Sequence, residues 1–259
     1  MRKTVCIIAI FIYALSTFCQ QNNKKFADPA IETEESVAHK SEQYYQKETE
    51  LNSENYVAYY NLGLFYATKY QFDYAEKNYN KVIQLEPKFK LAYSRLASLL
   101  LLSGQMENAG IACEKALQMD TLSALNYLNL GIYKFYQIQF EEAENYFIKS
   151  ISLDSMNFQS FLNYGTLLQQ IDRKPEAIIQ LKKAIQLNPK DVGSSYSLAS
   201  IYGSLNQTEE AYKCLEIALI NGISFYDMLQ VDVSLASLRE DKIQWKALMK
   251  KYFPNKGKK

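Results

Sequence analysis

His39, Cys113 and Cys214 are the residues of this 259-residue chain whose types could support nucleophilic or metal chemistry, once Cys6 and Cys19 are set aside with an N-terminal leader. A nucleophile needs a base in reach and a group that orients the base. His39 lies in the polar stretch SVAHKSEQ, and no partner set accompanies it. One histidine with two distant cysteines cannot assemble a zinc site, which takes four N or S ligands. No P-loop, dinucleotide glycine cluster or HExxH occurs. The acidic pairs Glu141–Glu142 and Glu209–Glu210 open expected helices, where negative charge suits the helix dipole. We therefore expect no catalytic residue, no metal and no cofactor. Amides are left: Asn61, Asn129 and Asn163 each offer a donor and an acceptor, which suits the backbone of an extended peptide.

Those asparagines share a register. The sequence repeats itself five times at a period of 34 residues without an insertion. Ala75, Ala109, Ala143, Ala177 and Ala211 occupy one column, and Gly63, Ala97, Gly131, Gly165 and Ala199 stand twelve residues earlier. Tyr79, Cys113, Phe147, Leu181 and Leu215 follow the alanines by four residues. Leu62, Leu96, Leu130, Tyr164 and Leu198 precede the glycine column, and Tyr59, Tyr93, Tyr127 and Phe161 stand three residues before them. Apolar periodicity runs through Gly63 into Leu64, Phe65 and Tyr66, so the glycine sits within a helix, where it costs about 1 kcal/mol against alanine. Close approach of two helix backbones, glycine column to alanine column, is the expected return for that cost. Gly104 falls in a turn between paired helices, and Pro175 near a helix start, where its missing N–H is harmless.

The columns resemble the tetratricopeptide repeat, whose W-x2-L-G-x2-Y, A-x3-F and P signature has the same spacing. Departures are Lys134 in place of an aromatic, Ser195 in place of the first aromatic of the last unit, and prolines in two units alone, Pro87 and Pro189. The resemblance implies an all-α fold, a right-handed superhelical solenoid of five helix-turn-helix units with an N-terminal helix and a C-terminal helical cap. Units are placed at 56–89, 90–123, 124–157, 158–191 and 192–225. A capping half repeat at 29–55 is expected to hold a polar helix from Pro29 to Leu51, with Tyr45 aligned to Tyr79 and Leu51 to Leu85. Residues 226–259 abandon the period, and Trp245, Leu248, Met249 and Tyr252 share the face of a last helix that covers the fifth unit, with the tryptophan in the core. Cys113 and Cys214, about three units apart, are too distant for a disulfide and read as small buried hydrophobes.

At 100° per residue the first helix of each unit carries a second stripe, at positions 2, 5, 9 and 12. It comprises Val57, Tyr60, Leu64 and Ala67; Leu91, Ser94, Ser98 and Leu101; Leu125, Leu128, Ile132 and Phe135; Gln159, Leu162, Thr166 and Gln169; and Gly193, Tyr196, Ser200 and Gly203. The resemblance implies that this stripe lines a concave groove for a partner's segment. None of it is charged, unlike the lysine and arginine clamp by which chaperone-binding relatives hold a terminal carboxylate, so an acidic tail is not the expected partner. Position 6 carries Asn61, Arg95, Asn129 and Asn163. These amides either hold a ligand backbone or bond within the scaffold, and the sequence leaves both open. Leu128, Ile132 and Phe135 are large and adjacent, and are expected to face solvent in the free protein. Burial of the stripe by neighbouring helices, or by the N-terminal helix folding back, is the competing outcome.

The implied function is that of a protein-binding scaffold with an uncharged or apolar protein segment as partner. A structural subunit of an envelope complex or oligomer, and a carrier of a small apolar ligand, stand as alternatives. Net charge is +1, 29 Lys and Arg against 28 Asp and Glu, with no basic stripe for nucleic acid. Arg2 and Lys3, the uncharged run from Val5 to Phe18 and the polar QQNNKK form the layout of an export signal over 1–19, followed by a linker at 20–28. Cleavage after Cys19 and lipidation of Cys19 are both open. The expected location is periplasmic or envelope-associated, with a membrane reached through such a lipid alone.

Overall fold

The computed structural model describes residues 36, 37, 40 and 42–256. The leader and linker, Cys6, Cys19, His39 and the start of the helix expected from Pro29 lie outside the described residues. Two compact units divide the chain between Ser155 and Met156. The first holds α1 (Glu42–Leu51), α2 (Tyr56–Thr68), α3 (Phe72–Leu85), α4 (Lys90–Leu102), α5 (Met106–Met119), α6 (Ala124–Tyr136) and α7 (Phe140–Leu153). The second holds α8 (Phe158–Gln170), α9 (Lys174–Leu187), α10 (Val192–Ser204), α11 (Thr208–Ile220), α12 (Tyr226–Val231), a 3-10 turn (Val233–Leu235), α13 (Ala236–Glu240) and α14 (Lys242–Tyr252). Among the described residues there is no strand, and each period of 34 residues folds as a pair of packed helices.

Local chemistry sets the ends of these helices. Asn55, Ser123, Asn157 and Asp191 stand just before the first helices of their periods and accept backbone N–H groups there, Asn157 from Gln159 at 3.0 Å and Asp191 from Ser194 at 2.6 Å. The second period has Phe89 at that place. Its ring packs instead on Tyr56 and Tyr60, at 5.1 and 5.3 Å between centroids. Each first helix then ends in a paired cap. In the first period Gln71 N–H donates to Tyr66 O and Tyr70 N–H to Ala67 O, and the same two bonds recur in all five. That cap requires positive φ at one residue. Gly104 meets the demand at φ 75°, and Tyr70, Ile138, Asp172 and Asn206 meet it at 58°, 62°, 63° and 58°.

The packing columns are buried as the period requires, for all five column alanines are fully buried. The glycines work differently from the expectation. A Cβ at Gly131 would lie 2.5 Å from the ring of Phe147, at Gly63 2.9 Å from the ring of Tyr79, and at Gly165 2.8 Å from Leu181 Cγ. What each glycine admits is thus chiefly the large side chain four residues beyond the alanine, and at Gly165 the backbone carbonyl of Ala177 also lies near, 3.4 Å from the Cβ place. Where the glycine column holds Ala97, the facing residue is the smaller Cys113.

Tyr45 of α1 is buried as its alignment with Tyr79 requires, whereas Leu51 is exposed. At the other end Trp245, Leu248 and Met249 are buried, and Tyr252 donates from its hydroxyl to Glu216 Oε1 at 3.0 Å. The period persists further than its residue types suggest. Tyr226 opens α12 one period after Val192, and the helix breaks at Asp232, whose Oδ1 accepts Ser234 N–H at 2.9 Å. Cys113 is buried and Cys214 half-buried, both as free thiols. Burial pushes the Cys214 thiol up to about 11 and that of Cys113 still higher.

Candidate functional site

The stripe on the first helices is built by α2, α4 and α6 in the first unit and by α8 and α10 in the second. In the first unit Tyr60, Leu64, Leu101, Leu128 and Ile132 are all buried, and Phe135 is 8% exposed. The expectation that Leu128 and Phe135 face solvent is therefore corrected. Phe135 packs on Phe140 of its own hairpin at 5.7 Å between centroids, and α4 contacts α6 directly. A wheel drawn for one helix cannot register such neighbours.

Polar groups on this face are paired within the scaffold. Asn129 Nδ2–H donates to Ser94 O at 3.1 Å and to Ser98 Oγ at 2.9 Å, and Ser98 Oγ lies 3.1 Å from Asn129 Oδ1. Ser98 Oγ–H also reaches Ser94 O at 3.0 Å, and Ser94 Oγ–H reaches Lys90 O at 3.4 Å. Arg95, buried at position 6, donates from Nε to Tyr60 OH at 3.3 Å. Its guanidinium is therefore built into the helix packing. Asn61 is buried on the same face.

The second unit differs. Leu162 is buried, and Thr166 Oγ–H donates to Leu162 O at 2.9 Å. Gln169 Nε2–H donates to Ser200 Oγ at 3.2 Å. Tyr196, read from the sequence as a groove residue, donates its hydroxyl to Asp232 Oδ2 of the C-terminal segment. Ser237 Oγ–H reaches Gly203 O at 2.8 Å, so the cap draws on the inner face of α10. Asn163 stands apart. Its Nδ2–H donates to Gln159 O at 2.7 Å, while Oδ1, in a residue 3% exposed, has no partner among the described residues. Ser197 Oγ is buried and unpartnered as well. The sequence reading passed over Ser197, although it occupies position 6 of the fifth period, the register of the asparagines. It also passed over Asn126, which is buried and donates to Ala116 O at 2.8 Å and Asp120 O at 3.0 Å, tying the end of α5 to α6.

Residues 56–89, 91–121, 158–191 and 192–219 match a family model described as tetratricopeptide repeat. The third period is unmatched, although α6 and α7 form its hairpin. A solved structure of Pseudomonas aeruginosa pilF is similar over 78% of this chain and 94% of its own, at 21% identity and a TM-score of 0.63. The APC/C hetero-tetramer Cut9-Hcn1 is similar over 96% of this chain and 52% of its own, at 15% identity and a TM-score of 0.73. YrrB, described as having an unusual peptide-binding site, is similar over 78% of this chain and 100% of its own, at 20% identity and a TM-score of 0.50. Among curated protein sequences none matches significantly. At such identities the likeness speaks for the fold. The repeat family builds scaffolds for protein–protein interaction, in general without catalysis.

Proposed function

Since this chain belongs to the tetratricopeptide-repeat family, we propose that it is an exported scaffold that holds an uncharged, apolar segment of a partner protein against its first helices. One observation carries the reading: the orphaned Oδ1 of buried Asn163, at position 6 beside a stripe without charge. A buried acceptor left unpaired costs about 1–3 kcal/mol. An extended segment that brings a backbone N–H to Asn163 Oδ1 removes that penalty. The similar YrrB, described with an unusual peptide-binding site, supports this use of the fold. The buried and bonded Arg95 argues against capture of an acidic tail.

Export rests on Arg2 and Lys3, the uncharged run to Phe18 and the polar stretch beyond it. Anchorage rests on Cys19 bearing a lipid, and the intact mass of the native product distinguishes a lipidated from a merely cleaved N-terminus. For the groove, a photo-crosslinking residue is placed at position 163 and, as an outer control, at exposed Ile148. A partner from native envelope joined at 163 and absent at 148 supports the reading. Equal yields at both positions, or none at 163, refute it.

A further inference from the structure

The first unit carries a cleft of about 670 Å³ walled by α1, α2 and α3, and none of the stripe residues lines it. Aromatic surface forms its floor. Tyr66 and Tyr74 stack with centroids 5.1 Å apart and planes at 28°, and Tyr74 is 59% exposed. The Tyr66 ring is held in place because its hydroxyl donates to Glu42 Oε1 at 2.9 Å and accepts from Gln46 Nε2–H at 3.2 Å. Lys77 and Lys81 stand one turn apart on α3, and neither makes an ion pair among the described residues. The Lys81 ammonium lies 5.9 Å from the ring centroid of Tyr59. Among the described residues no aspartate or glutamate lines the cleft.

The third period fills the places of Tyr66, Tyr74 and Asn78 differently. Lys134, Glu142 and Tyr146 stand two periods after Tyr66, Tyr74 and Asn78. Lys134 and Glu142 form an ion pair at 2.8 Å, and the Tyr146 ring packs on Tyr127 at 6.2 Å. Cation and aromatic surface are thus both consumed internally. In the first period the same places hold Tyr66, Tyr74 and Asn78, which leave ring surface toward the cleft, and Lys77 and Lys81 stand beside them.

We propose that this cleft anchors an acidic segment of a partner protein, with an aromatic side chain against Tyr66 and Tyr74 and flanking carboxylates on Lys77 and Lys81. Ring-on-ring contact suits the stacked pair, and the unopposed lysines set the sign of the ligand's charge. The volume lies in the range of ligand-sized clefts, and half-exposed walls suit one anchoring side chain of a longer segment. This site is separate from the stripe and from Asn163 beside it, and it recognises the opposite kind of chemistry.

The probe is a fluorescently labelled pentapeptide of one phenylalanine with two glutamates on each side, followed by anisotropy. Binding should weaken at least tenfold when the phenylalanine is replaced by alanine and vanish when the glutamates become lysines. Lys77→Glu with Lys81→Glu should abolish it, and Tyr74→Ala should weaken it at least fivefold. Lys115→Glu, at the place of Lys81 in the second period, should leave it unchanged. Circular dichroism checks that each variant is folded, which the exposure of Lys77 and Tyr74 favours. The proposal is overturned if the pentapeptide does not bind, if it binds the double lysine variant as well as the parent, or if the alanine peptide binds equally. Displacement by equimolar phenylacetate also overturns it, because the site would then be one for a small aromatic anion.

Discussion

Gly131→Ala tests the role assigned to the glycine column. The added methyl would sit 2.5 and 2.6 Å from two ring carbons of Phe147, closer than such atoms approach in folded proteins. Relief to ordinary contact needs a displacement of about 1 Å, and a close-packed interior resists shifts of that size. Phe147 and Ala143 beside it are both fully buried, which leaves the ring nowhere to go. Overpacking of this kind costs about 1–3 kcal/mol, against which alanine returns about 1 kcal/mol of helix propensity. The net expectation is a loss of about 1–2 kcal/mol, read as the shift in urea midpoint at constant slope. Gly63→Ala should be milder, close to neutral, since its Cβ would stand 2.9 Å from the edge of Tyr79. Pairing Gly131→Ala with Phe147→Leu should cost less than the sum of the single changes by about 1 kcal/mol or more, because the smaller side chain vacates the contested space. Strict additivity of the two, or a Gly131→Ala variant more stable than the parent, would refute the argument that the glycine exists to admit the ring.

Three further outcomes follow from the same structure. Ile138, a β-branched residue at φ 62° and 74% exposed, should become more stable as glycine by about 0.5–1 kcal/mol, and a lowered urea midpoint would contradict the strain. Leu128→Glu with Phe135→Glu places two carboxylates at buried positions and should cost about 4 kcal/mol or more, so an unchanged melting temperature would show that the stripe is open after all. At pH 8 alkylation of Cys214, whose thiol is pushed from 9.0 to about 11, should run about 100-fold slower than that of an ordinary cysteine and accelerate toward pH 11, with Cys113 slower still; rapid loss of both thiols at pH 8 would contradict their burial. The shift has a stability sign as well: the folded thiol keeps its proton where the unfolded one loses it, so this contribution is constant below pH 9 and falls as pH rises from 9 toward 11.

The hairpins were legible because residue type and spacing coincide in five copies. The left-handed residue that closes each first helix was legible at Gly104 alone, since Tyr70, Ile138, Asp172 and Asn206 share no type, only a backbone demand that the paired cap imposes. The glycine column was read as a meeting of backbones because columns disclose which sizes recur and leave open which side chain stands opposite. Burial of the stripe was hidden for a related reason. Exposure on a helical wheel depends on neighbouring helices, and those come from other periods, as the pairing of Asn129 with Ser94 and Ser98 demonstrates.

Asn129 and Asn163 occupy the same position of successive periods, yet one amide is satisfied and the other is left with an orphaned oxygen. The sequence one period back differs between the two. Asn129 is preceded by serines 35 and 31 residues earlier, Ser94 and Ser98, and bonds to both. At the corresponding distances before Asn163 the sequence has Leu128 and Ile132, which carry no group able to donate or accept. Removal of the two side chains should therefore have opposite signatures. Asn129→Ala strips a network that bonds two helices together, whereas Asn163→Ala deletes a group that the folded chain does not satisfy in full.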